Sequence, residues 1–401
     1  MLNYFIVLIL LVTQMYTPVK SQEKNKMSDI TQIISEVQNK YAPDKRVAIF
    51  QITAMENNDL FVLEGSTNLP LARQELLSLL KERNISCIDS IRLLPDQKLG
   101  TKIYGIINLS VGNIRTKPDM PEELATQALL GTVVNVLQEH HGWYLVQTPD
   151  EYISWVDEDA VELVSGEEAL AWKRAPKVIL MIPYGFSFIN PDQKSQTVSD
   201  LVEGNLLKLL GEENDYYKVE YPDKRIAYIP LNNAMKYDEW LSKIELKPEV
   251  IIKTAKTFMG IPYLWGGTSM KGVDCSGFTK SVYYLNGVIL PRDASQQVNV
   301  GELVDTRNGF DNLKPGDLVF FGRRATADRK ERATHVGIYI GNGEYIHSSG
   351  RVRINSFNKD AENYNQYRFN SFLKARRILT SLDKDGVYLL KNHKSYAEVI
   401  K

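Results

Sequence analysis

The stretch "MGIPYLWGGTSMKGVDCSGF", Met259 to Phe278, decides how the rest of this chain is read. It contains one of only two cysteines in 401 residues, set directly after an aspartate. The residues that follow, "CSGFTKSVYYLNG", place Phe278, Val282 and Leu285 on one helical face, with Asn286-Gly287 as the terminator. Asp274 then stands at the N-cap and Cys275 in the first turn. Unpaired N–H groups and partial positive charge at a helix N-terminus stabilise a thiolate, so the position predicts an ionised, nucleophilic sulfur.

A thiolate nucleophile needs a base. Of five histidines, His140 and His141 fall in a polar turn and His393 in a polar tail, and all three are expected to face solvent. The other two bracket "THVGIYIGNGEYIHSS", a strand–turn–strand pattern. His335 is the candidate general base and acid, and His347 the residue that orients its imidazole. Directly opposite pairing of the two requires a hairpin centred on Gly341. A tight turn at Asn342-Gly343 would put them on opposite faces, so a wider loop or a bulge is expected at residues 340–343. A metal site is the competing reading of these residues, but no CxxC or HxxxH spacing supports zinc. Gly266-Gly267 lacks the following GKS/T of a phosphate loop. No metal and no cofactor are expected. The run "RRATADRKER" before His335 reads as a solvated loop.

Working outward, length allows two to four domains, and 43% apolar with 24% charged residues is ordinary for a globular chain. A net charge of −1 gives no global field toward nucleic acid or an anionic membrane. The N-terminus has an apolar run from Phe5 to Val12, followed by Val19 and Ser21 at small-residue positions. It reads as a signal peptide over 1–21, hence an exported protein, periplasmic or extracellular, with no stable membrane insertion after its removal. Residues 28–98 read as a small α/β unit: strands in "RVAIFQITAM" and "DLFVLEGST", a helix in "LPLARQELLSLLKERN", and a strand in "ISCIDSIRLL" containing Cys87 as a small buried hydrophobe. Residues 101–165 and 176–240 are two copies of one pattern. Gly131, Trp143, Val146, Pro149, Asp150 and Trp155 match Gly204, Tyr216, Val219, Pro222, Asp223 and Tyr228 at an offset of 73. Short alternating strands between turn residues predict a small β-barrel for each. A helix, "LKPEVIIKTAKTFMG", with Pro248 in its first turn and Gly260 past its end, opens the last domain, 247–378. The tail after Thr380 is left unassigned.

The motifs "MGIPYLWGGTSMKGVDCSGF", "LPRDASQQ", "LKPGDLVFF", "HVGIYIGNGEYIH" and "RRI" together resemble the NlpC-type papain-like cysteine peptidases of bacterial cell walls, over about 250–378. The paired barrels resemble the bacterial SH3-like domains that accompany such enzymes. The resemblance implies an α+β chain: a papain-like catalytic domain preceded by two SH3-like β-barrels and the N-terminal α/β unit. It is similar to the γ-D-glutamyl-L-diamino acid endopeptidases of the dipeptidyl-peptidase VI type, whose partners are murein peptides of L-Ala-γ-D-Glu-diamino acid. It implies that Cys275, His335 and His347 carry catalysis and that Tyr263 helps to stabilise the oxyanion. It further implies that Glu123, Tyr152, Asp274 and Ser276 hold the free amine of the substrate's L-Ala. Glu122 competes with Glu123 for that role. Action on intact murein, or wall binding without catalysis, are the alternatives; diaminopimelate and lysine are both open as the third residue.

Overall fold

A computed structural model of the protein describes residues 17–57, 60–384 and 386–397; the apolar run of the expected signal peptide lies outside them. Among the described residues, no helix is long and apolar enough to cross a membrane. The chain divides into residues 1–100 and 101–401.

The first unit opens with a helix the sequence reading did not anticipate, α1 (Thr17–Tyr41). Ile30, Ile33 and Val37 recur at three- and four-residue spacing and are all buried. Strands β1 (Phe50–Asn57) and β2 (Leu60–Thr67) pair antiparallel. A crossover helix, α2 (Pro70–Glu82), buries Ala72, Leu76 and Leu80 and returns the chain to β3 (Cys87–Leu93), which runs parallel to β2. Cys87 is a half-buried free thiol packed against this core.

Residues 104–236 are one design used twice. Strands β4 to β10 (Tyr104–Ile107, Val111–Arg115, Leu124–Leu129, Val133–His140, Trp143–Gln147, Ile153–Asp157, Val161–Val164) form a sheet of order β10-β4-β7-β8-β9-β5-β6. Strands β11 to β17 (Lys177–Leu180, Tyr184–Phe188, Thr197–Val202, Leu206–Glu213, Tyr216–Glu220, Ile226–Pro230, Ala234–Lys236) form another, of order β17-β11-β14-β15-β16-β12-β13. Every strand of the second begins 73 residues after its counterpart, and the two orders are the same. The irregularities repeat too. A β-bulge lies between Val136 and Gln138 in one sheet and between Leu209 and Gly211 in the other. Left-handed residues at His141 and Glu151 recur at Asn214 and Lys224. Turn geometry, and not only core patterning, therefore survives in both copies. Helices α3 (Gly166–Arg174) and α4 (Tyr237–Ser242) follow the respective sheets.

The remaining chain forms the α+β domain. Helix α5 (Pro248–Thr257) precedes a two-stranded ribbon, β18 (Thr268–Ser269) with β19 (Gly272–Val273), that leads into α6 (Cys275–Tyr284). After β20 (Val288–Ile289) and the single turn α7 (Ala294–Gln297) come the strands of the main sheet. They are β21 (Glu302–Val304), β22 (Leu318–Arg323), β23 (Arg332–Gly341), β24 (Glu344–Ser349), β25 (Arg351–Ser356) and β26 (Phe372–Arg377), in the order β21-β26-β22-β23-β24-β25. A short helix, α8 (Gln366–Asn370), precedes β26. Helix α6 packs its Phe278 and Val282 against Phe258 and the inward face of the sheet; both are wholly buried, worth about 2–3 kcal/mol each. Within the tail, β27 (Tyr388–Leu389) pairs with β20, and Leu390 is fully buried. His393, expected at the surface, is buried beside Tyr388 and Tyr396, and burial pushes its pKa down to about 4. His140 and His141 are exposed as expected.

Candidate active site

Helix α6 begins where the sequence places it. Asp274 is its N-cap, accepting from the Gly277 N–H at 2.7 Å, and Cys275 is the first helical residue. The capping carboxylate has further partners. Its Oδ2 accepts from the Gly266 N–H at 3.0 Å, and Arg292 grips it through Nη2–Oδ2 at 2.5 Å and Nη1–Oδ1 at 3.2 Å. Ser276 Oγ donates to Asp274 at 3.3 Å and accepts from Arg292 Nη1 at 3.1 Å. Arg292 is only 1% exposed, and its Nε reaches Thr126 Oγ1 on β6 at 3.0 Å. A buried guanidinium with a bidentate carboxylate and a partner for every nitrogen is the arrangement that makes such burial tolerable.

The sulfur is not held as a resting thiolate, which corrects the expectation from helix position alone. Burial, followed by the charge of Asp274, pushes the Cys275 thiol up to about 11, against the pull of the Val336 and Ser276 backbone N–H groups and of Arg292. His335 is held well below the ordinary histidine range by burial, then by His347 and Arg368. Burial thus disfavours the charged form of each group taken alone, and the thiol and imidazole titrate as a pair.

His335, the candidate base, is oriented by a chain of hydrogen bonds. His335 Nε2 lies 2.6 Å from His347 Nδ1, with the rings at 88°. His347 Nε2 lies 2.7 Å from Asn355 Oδ1, and Asn355 Nδ2 donates to the Asn363 carbonyl at 2.7 Å. The end of this chain fixes its start. Asn363 O only accepts, so Asn355 presents its oxygen to His347, whose Nε2 carries the hydrogen. Burial lowers the His347 pKa to about 4, so its Nδ1 is a bare acceptor. His335 Nε2 then donates, which leaves the Nδ1 lone pair for another proton. The thiol's contact with the backbone of Val336, the next residue, sets Cys275 beside this ring.

The hairpin reaches this geometry differently from the expected one. The turn is tight at Asn342-Gly343, with Gly341 opposite Glu344, but the register shifts between Tyr339 and Gly341. That bulge, inside the expected segment, restores the parity that a tight turn alone would have spoiled. His335 and His347 are diagonal neighbours on one face and not directly opposite. Beyond the bulge the partner of His347 is Gly337, where a Cβ would come within 3.0 Å of the His347 Cβ. Asn355, on the next strand, was not identified from the sequence.

The first barrel forms a wall of the site. Gly266 has φ +80°, and a Cβ there would lie 2.2 Å from the Leu124 carbonyl, so only glycine lets the catalytic loop close on β6. Gln127 Oε1 accepts from the Thr268 N–H at 2.9 Å, and the buried Asp150–Lys280 pair, 2.7 Å, ties the β8–β9 loop to α6. Glu123 Oε1 accepts from Trp265 Nε1 at 2.6 Å across this junction, whereas Glu122 turns back to Lys117 at 2.9 Å. Tyr152 lies within electrostatic reach of Arg292. Tyr263 is half-buried; burial first, then Cys275 and Asp274, push its hydroxyl pKa up. Ser276 and Asp274 are thus gathered with Cys275, Tyr263 and Tyr152 around one floor, and Glu123 stands on the barrel edge that meets the Trp265 loop. The basic run 323–332 is exposed as expected.

Residues 260–374 match the NlpC/P60 family, and residues 114–161 match the bacterial dipeptidyl-peptidase SH3 domain. The chain is 34% identical over 234 residues to the γ-D-glutamyl-L-lysine dipeptidyl-peptidase of Bacillus cereus, covering 56% of this chain and 67% of the relative. It is 26% identical over 272 residues to dipeptidyl-peptidase 6 of Lysinibacillus sphaericus, covering 65% and 94%. A crystal structure of an NlpC/P60 family protein from Bacillus cereus superposes with a TM-score of 0.57 at 28% identity, over 68% of this chain and 99% of that one.

Proposed function

The chain belongs to the NlpC/P60 family of cysteine peptidases, and we propose that it hydrolyses the bond between γ-D-Glu and the diamino acid of murein peptides with a free N-terminal L-Ala, releasing L-Ala-γ-D-Glu. Relatives named γ-D-glutamyl-L-lysine dipeptidyl-peptidase support a γ-D-glutamyl bond as the target; diaminopimelate and lysine are both open at the third position. The observation that supports the reading is the His335–His347–Asn355 hydrogen-bond chain on the sheet that packs with the helix headed by Cys275, together with Glu123 on the barrel wall.

In the proposed mechanism the Cys275 S–H passes its proton to His335 Nδ1 as sulfur attacks the γ-carbonyl carbon. The Cys275 backbone N–H and the Tyr263 hydroxyl receive the developing oxyanion. His335 returns the proton to the departing amine, and water deprotonated by the same imidazole hydrolyses the thioester. His347 keeps the His335 lone pair aimed at sulfur. Glu123 and Tyr152 hold the L-Ala ammonium at the closed end of the groove, with Asp274 and Ser276 beneath it. Glu123 supplies most of the charge there, because Arg292 already neutralises Asp274. We further propose an exported enzyme that meets its substrate in the periplasm or outside the cell.

The test compares L-Ala-γ-D-Glu-L-Lys with its N-acetylated form. Cleavage of the free-amine peptide at least about 100-fold faster is expected from the loss of a charge-assisted contact. Equal rates would remove the amine site, and action confined to intact, glycan-linked murein would replace the proposal with the endopeptidase reading.

A further inference from the structure

A second guanidinium that the mechanism leaves idle lies over the Phe321 ring, which stands 5.8 Å from the ring of His335. Arg368 sits on α8, whose N-cap Asn365 accepts from the Arg368 N–H at 3.0 Å and so fixes the residue's place. Its side chain is half-buried, lying over the Phe321 ring at 6.0 Å and the Tyr367 ring at 5.5 Å. Its guanidinium makes one long hydrogen bond, Nη2 to Ser349 Oγ at 3.4 Å. No carboxylate among the described residues pairs with it. Burial lowers its pKa. Arg292, which is buried, shows the contrast: its charge is met by Asp274.

A half-buried guanidinium with donors to spare and no carboxylate partner is an incomplete anion site. Its position tells which anion. Glu123 and Tyr152, the proposed amine contacts, come from barrel 1, as does Thr126 on Arg292. Arg368 comes instead from the side of the main sheet, where its Nη2 meets Ser349 on the strand of His347 and its guanidinium lies over Phe321 beside His335. With the acyl half of the substrate directed at the barrel, the leaving amine lies toward Arg368. The residue that departs carries its α-carboxylate carbon two bonds from the scissile nitrogen, about 2.5 Å away, so a carboxylate there falls beside the sulfur.

We infer that Arg368 receives the free α-carboxylate of the departing diamino acid, so that the groove is built for a peptide ending at that residue. The inference rests on the proposed orientation of the substrate. A planar fork matches a carboxylate and has no comparable use for the neutral amide that replaces it when the peptide continues.

The experiment measures kcat/KM for L-Ala-γ-D-Glu-L-Lys and for its C-terminal carboxamide, with wild type, Arg368→Gln and Arg368→Lys, each checked for an unchanged melting temperature. The wild type is expected to prefer the acid by about 10- to 100-fold. In Arg368→Gln that ratio falls towards one, and Arg368→Lys restores it in part. An unchanged ratio in Arg368→Gln, whether both rates fall together or neither falls, would overturn the inference by showing that the guanidinium serves the thiol or the fold and not the carboxylate. Cleavage of neither peptide by the wild type would defeat the underlying substrate reading, a failure distinct from an unchanged ratio.

Discussion

Replacing Asn355 with leucine would test the hydrogen-bond chain behind His335, the proposed base. The two side chains are similar in shape, but leucine offers neither an acceptor for His347 Nε2–H nor a donor for the Asn363 carbonyl. His347 is wholly enclosed, so its N–H finds no water, and the unmet donor costs about 1–3 kcal/mol. The ring escapes that cost by moving its hydrogen to Nδ1, 2.6 Å from His335. His335 Nε2 must then accept, its own hydrogen shifts to Nδ1, and the lone pair facing sulfur is lost. If the productive tautomer is disfavoured by about 1.5–3 kcal/mol, kcat falls roughly 10- to 150-fold while KM changes little. Steady-state release of lysine from L-Ala-γ-D-Glu-L-Lys reads the effect, with circular dichroism and the melting temperature confirming the fold. A folded Asn355→Leu enzyme with kcat within twofold of wild type would refute the tautomer argument.

Gly337→Ala sets a methyl group 3.0 Å from both the His347 Cβ and the Ile346 carbonyl, displacing the orienting ring by a few tenths of an ångström. A loss of about 10-fold or more in kcat with KM nearly unchanged is expected from the same peptide assay. His393 bears on stability: its folded pKa of about 4 lies below the ordinary 6.5, so the unfolded chain binds the proton first and stability falls as pH drops through that window. Urea unfolding at pH 7 and 4.5 is expected to show the wild type losing about 2 kcal/mol more than a His393→Gln variant. Equal losses would contradict it; His335 and His347 drive both proteins in the same direction and cancel in the comparison.

Much of the architecture is legible because it rests on local rules. A constant offset of 73 fixes both barrels down to their bulges, since each copy keeps its turn chemistry as well as its alternating core. Asp274 and Cys275 announce a capped helix, and α6 begins there. Helix α1 was equally available from Ile30, Ile33 and Val37, but its polar surroundings hide a stripe this narrow. The resting charge of Cys275 was misjudged because a helix end reveals a dipole and not the burial that outweighs it. Asn355 and Arg368 depend on tertiary placement. Nothing in "NSF" or "QYRF" separates them from surface polar residues until β25 and α8 bring them to the histidines and the thiol.

Trapping the covalent intermediate tests the central chemistry most directly. Rapid acid quench during turnover of L-Ala-γ-D-Glu-L-Lys, followed by intact-mass measurement and peptide mapping, is expected to find L-Ala-γ-D-Glu as a thioester on Cys275. The adduct should be absent from an inactive Cys275→Ala protein. Sustained cleavage by Cys275→Ala, or an acyl group mapped to another residue, would contradict the account.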